Sequence, residues 1–168
     1  MEIDGSPDHS GSGRVALHDS IEISAPAQQV WELICDWAGM SRWWLPAEEG
    51  GLQGPRLISC ELVGAPGSVP RTRRMVLSDG GVVEETIFYQ NDETRRIHYI
   101  KADNQHVIGY VATTYVDDLA DGGCVVHIAS TFDATQPDAS SAAAAWFADI
   151  YRSMFAGYSR YFTRQSAH

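Results

Sequence analysis

The sequence predicts an α+β domain: a seven-stranded antiparallel sheet curved around one long C-terminal helix, with two short helices after the first strand. Three observations carry that prediction. From Arg56 onward the apolar pattern keeps a period of two through six consecutive segments. The links between them are short and rich in Gly, Asp, Asn and Pro, whereas parallel neighbours would need crossovers of about a dozen residues or more. The last stretch changes period: Trp146, Phe147, Ile150, Tyr151, Met154, Phe155, Tyr158, Tyr161 and Phe162 share one wide helical stripe.

Taken in order, Val15 to Ser24 alternates as a strand with one slip. Ser24-Ala25-Pro26 starts a helix, a hydroxyl before a proline tolerated in the first turn, and Val30, Trp31, Leu33, Ile34 and Trp37 extend it to about Ala38. Gly39 stops it, a second short helix spans Met40 to Trp44, and Glu48 to Gly51 is a loop. The six further strands are Leu57 to Val63, Arg71 to Ser78, Val82 to Tyr89, Arg95 to Ala102, His106 to Asp117 and Gly123 to Ala134. Asp138 is placed to cap the long helix, which runs from Ser140 to Arg164. Residues 1–14 are polar and read as a flexible leader, 15–164 as one domain, and 165–168 as a tail. A sheet and a helix that each hide one apolar face bury them together, and a curved sheet leaves a cavity where it does not close on the helix.

Charge and composition remove several classes. With 22 acidic and 12 basic side chains the chain carries a net charge of −10, so it lacks the basic face that nucleic acids or anionic membranes require. Cys35, Cys60 and Cys124 lie in apolar runs with no C-x-x-C spacing and read as reduced core thiols of a cytoplasmic protein. No apolar run reaches the roughly 20 residues of a membrane span. No phosphate loop, dinucleotide fingerprint, G-x-S-x-G or H-E-x-x-H is present, and the histidines are scattered, so neither a cofactor nor a metal is expected. Lys101 is the chain's one lysine; a single candidate counts against amine-nucleophile chemistry.

Face assignment then selects the candidates. Cys124, Val126, Ile128, Ser130 and Phe132 share the inner face, which leaves His127 outside; Ile97 and Tyr99 point inward, which puts His98 outside and Lys101 on the other face. Val83, Glu85, Ile87 and Tyr89 alternate together, so Glu85 points with apolar neighbours, a setting that raises a carboxyl pKa and suits a general acid or base. It is equally suited to a structural ion pair with an arginine on the next strand. Arg71 and Arg73 share a face, where an arginine can bind a ligand carboxylate or oxyanion; outward salt bridging is the other reading for each. Tyr99, Tyr115 and Tyr151 are candidate proton relays or carbonyl-orienting donors, or else cavity wall. Trp44, Tyr89, Ile128, Phe147 and Met154 complete the expected ligand lining.

The order of elements, the segment "IEISAPAQQVWELICDWAGMSRWW" and the aromatic last helix resemble the START-like, birch-pollen-allergen-like superfamily, within it the polyketide cyclase/dehydrase and lipid-transport group. The likeness spans about Val15 to Phe162. It implies a helix-grip fold with a hydrophobic cavity for a small organic ligand, in a superfamily whose functions include carriers, receptors, aromatases, cyclases and lyases. A narrower likeness is to hydroxynitrile lyases of this fold: it implies roles for Arg71, with Arg73 as rival because Pro70 reads as an insertion, and for Tyr99, Tyr115 and Tyr151. Where those lyases carry the carboxylate this chain has Val83, with Glu85 two residues on along the same face.

The function expected is therefore a cofactor-free enzyme acting on a small hydrophobic carbonyl or polyketide-like compound by acid–base chemistry, as a cyclase/dehydratase or a C–C lyase. Arg71, Glu85, Tyr99, Tyr115 and Tyr151 would be catalytic. The alternative is a non-catalytic carrier of a hydrophobic metabolite; a weaker third reading is an interaction module with an exposed apolar patch. The expected partner is a small hydrophobic molecule, not nucleic acid or membrane, and a homodimer is compatible with the sequence.

Overall fold

The computed structural model describes residues 13–44 and 57–165. The expected leader up to residue 12, the loop at Glu48 to Gly51 and the tail after residue 165 lie outside the described residues. The strands are β1 (Arg14–Ile23), β2 (Leu57–Val63), β3 (Arg71–Leu77), β4 (Val82–Asn91), β5 (Arg96–Lys101), β6 (Val107–Asp118) and β7 (Cys124–Ala134). Helix α1 (Ala27–Cys35) follows β1, and α2 (Ser140–Gln165) ends the fold. One antiparallel sheet holds all seven strands in the order β1-β7-β6-β5-β4-β3-β2. Only β1 is displaced from its sequence neighbour: it crosses to the far edge and pairs β7, from Arg14 opposite Asp133 to Ile23 opposite Cys124.

Short turns fix the register of the other pairs. Gly122, at φ +89°, turns β6 into β7 so that Asp118 meets Cys124. The turn at Ser78 to Gly81 likewise sets Val76 opposite Val82, and hence Arg73 opposite Glu85 and Arg71 opposite Ile87. The concave face of the sheet buries Met75, Ile87, Ile97, Ala112, Val116, Val126, Ile128 and Phe132 in one core with Val30, Trp31 and Ile34 of α1 and Phe147, Met154, Phe155, Tyr158 and Phe162 of α2. At Gly157 the backbone oxygen of Trp43 would stand 2.5 Å from an added Cβ, so the absent side chain lets that segment lie on α2.

Three local expectations are corrected. Helix α1 ends at Cys35, not near Ala38, because Asp36 leaves helical geometry at ψ 74° and lets Trp37 turn into the core. The second short helix is a single 3-10 turn at Gly39–Arg42. Asp138 lies inside a 3-10 turn at Pro137–Ala139 that leads into α2, and Ser140 Oγ donates back to Pro137 O at 2.7 Å.

Candidate functional site

The polar side chains of the concave face lie along five adjacent strands, β3 to β7. Arg73 and Glu85, directly opposite on β3 and β4, form a bidentate contact on one carboxylate oxygen: Arg73 Nε donates to Oε2 at 2.7 Å and Nη2 donates to the same atom. Their side chains are only 5% and 13% exposed, so the pair is largely out of water. Trp37, turned inward by the early end of α1, closes over it. The Arg73 guanidinium carbon stands 3.6 Å from the Trp37 ring centre, Arg73 Nη1 donates to Trp37 O at 3.4 Å, and Trp37 Nε1 donates to Glu85 O at 3.3 Å. Burial works against the Arg73 charge, but the Glu85 carboxylate beside it prevails and holds the guanidinium above its ordinary value.

Next along the face stands Tyr99, buried, edge-on to Trp37 at 5.1 Å, its hydroxyl paired with Thr114. Burial, and then the Glu85 charge, raise its phenol above the ordinary range, so it stays a neutral donor. Farther across the sheet a second polar group lies under α2. Tyr151 of α2 meets Tyr110 of β6 hydroxyl to hydroxyl at 2.8 Å and also meets Ser130 Oγ of β7. Tyr110 packs in a cluster with the Phe132 and Phe147 rings, at centroid distances of 6.0 and 4.9 Å. Burial raises Tyr110 and Tyr151 as well. Tyr151→Phe should therefore lower stability by about 1–3 kcal/mol, because Tyr110 and Ser130 lose a buried partner; denaturant unfolding measures it.

Of the expected site residues, Glu85, Arg73, Tyr99 and Tyr151 come together on this face, with Ile128, Phe147 and Met154 buried around them. Trp44 is half-buried and ties the segment before residue 45 to α2, its Nε1 donating to Ser153 Oγ at 2.9 Å. Arg71 is buried on the same face, but its guanidinium is taken up by Ser68 O, Cys35 O and Gln90 Oε1 at 2.7–3.2 Å. It brackets β3 to the end of α1 rather than facing Glu85.

Two residues expected on the inner face stand on the outer one. Tyr115 is stacked on His127 at 4.4 Å with the Arg96 guanidinium 4.6 Å from its ring, because Tyr115 and His127 are directly opposite in the β6–β7 register. Tyr89 is 42% exposed and packs on His98. The β4–β5 register shifts between Ile87 and Tyr89, so Phe88 is an extra residue and the inner set after it continues with Gln90. Conversely, Tyr110, Ser130, Thr114 and Trp37 belong to the site without having been singled out. Lys101, as its strand period required, is buried on the concave face. Among the described residues no group of three His, Cys, Asp or Glu could hold a metal ion, and no helix is long and apolar enough to cross a membrane. A surface cleft of about 190 Å³ lies at the β6–β7 turn, lined by Glu22, Pro26, Leu119 and Asp121 among others; none of the inward polar residues lines it.

No curated protein matches this sequence. Among solved structures, the chain is similar to the protein XoxI from Bacillus cereus (22% identity, TM-score 0.72, covering 92% of this chain and 99% of that one). It is similar also to the Zhui aromatase/cyclase from Streptomyces sp. R1128 (15% identity, TM-score 0.68, 90% and 95% covered). A third is norcoclaurine synthase from Thalictrum flavum in complex with dopamine and hydroxybenzaldehyde (16% identity, TM-score 0.61, 92% of each chain). These likenesses establish the helix-grip fold that the sequence predicts. The family model for polyketide cyclase/dehydrase and lipid transport matches residues 14–163, almost the whole described fold, and this chain belongs to that family.

Proposed function

We propose that this protein is a cofactor-free enzyme that binds a small hydrophobic carbonyl or polyketide-like compound between sheet and helix and moves protons on it, in a cyclisation, dehydration or C–C cleavage. The observation that carries this reading is the buried Arg73–Glu85 pair on the same concave face as the buried hydroxyls of Tyr99, Tyr110 and Tyr151. Glu85 is the proton-transferring group. Arg73 positions it, since its described hydrogen bonds go to Glu85 and Trp37. Tyr99, with Tyr110 and Tyr151 deeper in, supplies neutral donors for a carbonyl oxygen as it gains charge. Ile128, Phe147 and Met154 give the apolar contact, and Tyr115 and Tyr89, on the outer face, have no part in the chemistry.

Proteins of this fold named aromatase/cyclase and norcoclaurine synthase, the latter in complex with an aldehyde, support the enzyme reading. The family description also names lipid transport, which favours a second reading, a carrier of a hydrophobic metabolite. One assay separates the two. The purified protein is offered aromatic aldehydes and poly-β-ketones, and ligand and product are quantified together. Conversion that depends on the protein supports the enzyme; stoichiometric binding with full recovery of unchanged ligand across the set would support the carrier instead.

A further inference from the structure

We propose that Lys101 is a carbonyl-capturing amine, forming a Schiff base with an aldehyde or ketone that reaches the concave face. This deepens the reading above and takes from it the carbonyl class of the ligand. As the chain's one lysine, Lys101 stands at the end of β5 on the face of Ile97 and Tyr99, 8% exposed and directly opposite Glu85 on β4. Lysines are almost never so buried unless paired, because an ammonium out of water is costly. Here the pairing is incomplete: Nζ donates to the adjacent Ala102 O at 2.8 Å, and Glu85 Oε2 is already held by Arg73. The second oxygen, Oε1, accepts none of the described hydrogen bonds.

The charges facing the amine are Glu85 from β4 and Asp103 just beyond β5. Burial lowers its pKa below the ordinary 10.5 and those two carboxylates oppose the fall, with a net decrease. Each unit of such a decrease raises the neutral, nucleophilic fraction near neutral pH about tenfold. In the step proposed, the neutral amine attacks the carbonyl carbon, forming a C–N bond, and a proton passes from nitrogen to oxygen. A second proton, taken from solvent, goes to that hydroxyl; the C–O bond then breaks, water leaves, and the cationic imine lies against the Glu85 carboxylate. Hydrolysis returns amine and carbonyl, so no oxidant or reductant is consumed.

Having one lysine makes the test clean. The whole protein is incubated near neutral pH with benzaldehyde and sodium cyanoborohydride, which reduces an imine to a stable benzylamine, and the adduct is located by peptide mass spectrometry. The expected result is benzylation at Lys101 about tenfold or more faster in the folded protein than in urea, with the N-terminal amine as internal reference. Lys101→Arg should lose the adduct and retain that reference. Label confined to the N-terminal amine, or equal labelling of Lys101 folded and unfolded, would overturn the proposal. Substrate conversion without a trapped adduct refutes the amine and leaves the acid–base reading standing; an adduct without any conversion does the reverse.

Discussion

Replacing Arg73 by Met is expected to destabilise the fold by about 3–5 kcal/mol, the usual cost of removing one partner of a buried ion pair. The mechanism is specific. Arg73 gives Glu85 two donors on Oε2, gives Trp37 O a third, and lies against the Trp37 ring. Met keeps much of the volume but leaves the carboxylate without its counter-charge in a site where Glu85 is 13% exposed. The double substitution Arg73→Met with Glu85→Gln should recover most of the loss, because a neutral pair of similar size no longer has a charge to desolvate. Denaturant unfolding of the four proteins closes the cycle. Arg71→Met serves as the comparison: its guanidinium faces backbone carbonyls and an amide rather than a carboxylate, so no second substitution at Glu85 should rescue it.

Glu85→Gln should lower turnover of a carbonyl substrate by about 10²–10⁴-fold, the range general acid–base catalysis contributes, while ligand affinity stays near that of the wild type. Gln is nearly isosteric and can still accept from Arg73 Nε, so the packing of Trp37 over the pair survives. What it cannot do is take up a proton. Tyr115→Phe should leave turnover unchanged, since that ring stacks on His127 on the opposite side of the sheet. Affinity that falls in step with turnover in Glu85→Gln would instead make Glu85 a binding group.

The fold was readable because two periods and a series of turn signals agree. All seven strands, the long helix and the antiparallel pairing follow from them, and each strand boundary lies within two residues of its expected place. The inner face was legible wherever a strand is regular, as for Arg73, Glu85, Tyr99, Ile128 and Lys101. It failed where regularity fails. The extra residue Phe88 turns Tyr89 outward, and a register shift of that kind has no composition of its own. Tyr115 is a different case, because the signal existed: the Asp121-Gly122-Gly123 turn fixes the β6–β7 register and sets Tyr115 against His127, whose outward face the alternation of β7 already gave. The alternation of β6, with Ala112, Thr114 and Val116 buried, selects Tyr110 as the inward tyrosine, in contact with Tyr151. Arg73 as the partner of Glu85 follows likewise from the short β3–β4 turn, whereas likeness to the lyases pointed to Arg71. Trp37 was hidden for a tertiary reason, since it enters the site only because α1 stops at Cys35.

The claim on which the account turns is that Glu85 moves protons on a bound carbonyl compound. It is tested most directly by following the α-hydrogens of a hydrophobic ketone in D₂O by proton NMR, with wild-type protein and with Glu85→Gln at equal ligand occupancy. The account predicts that the wild type accelerates exchange well above buffer and that Glu85→Gln returns it nearly to the buffer rate. Bound ketone whose α-hydrogens exchange at the buffer rate in both proteins would contradict it.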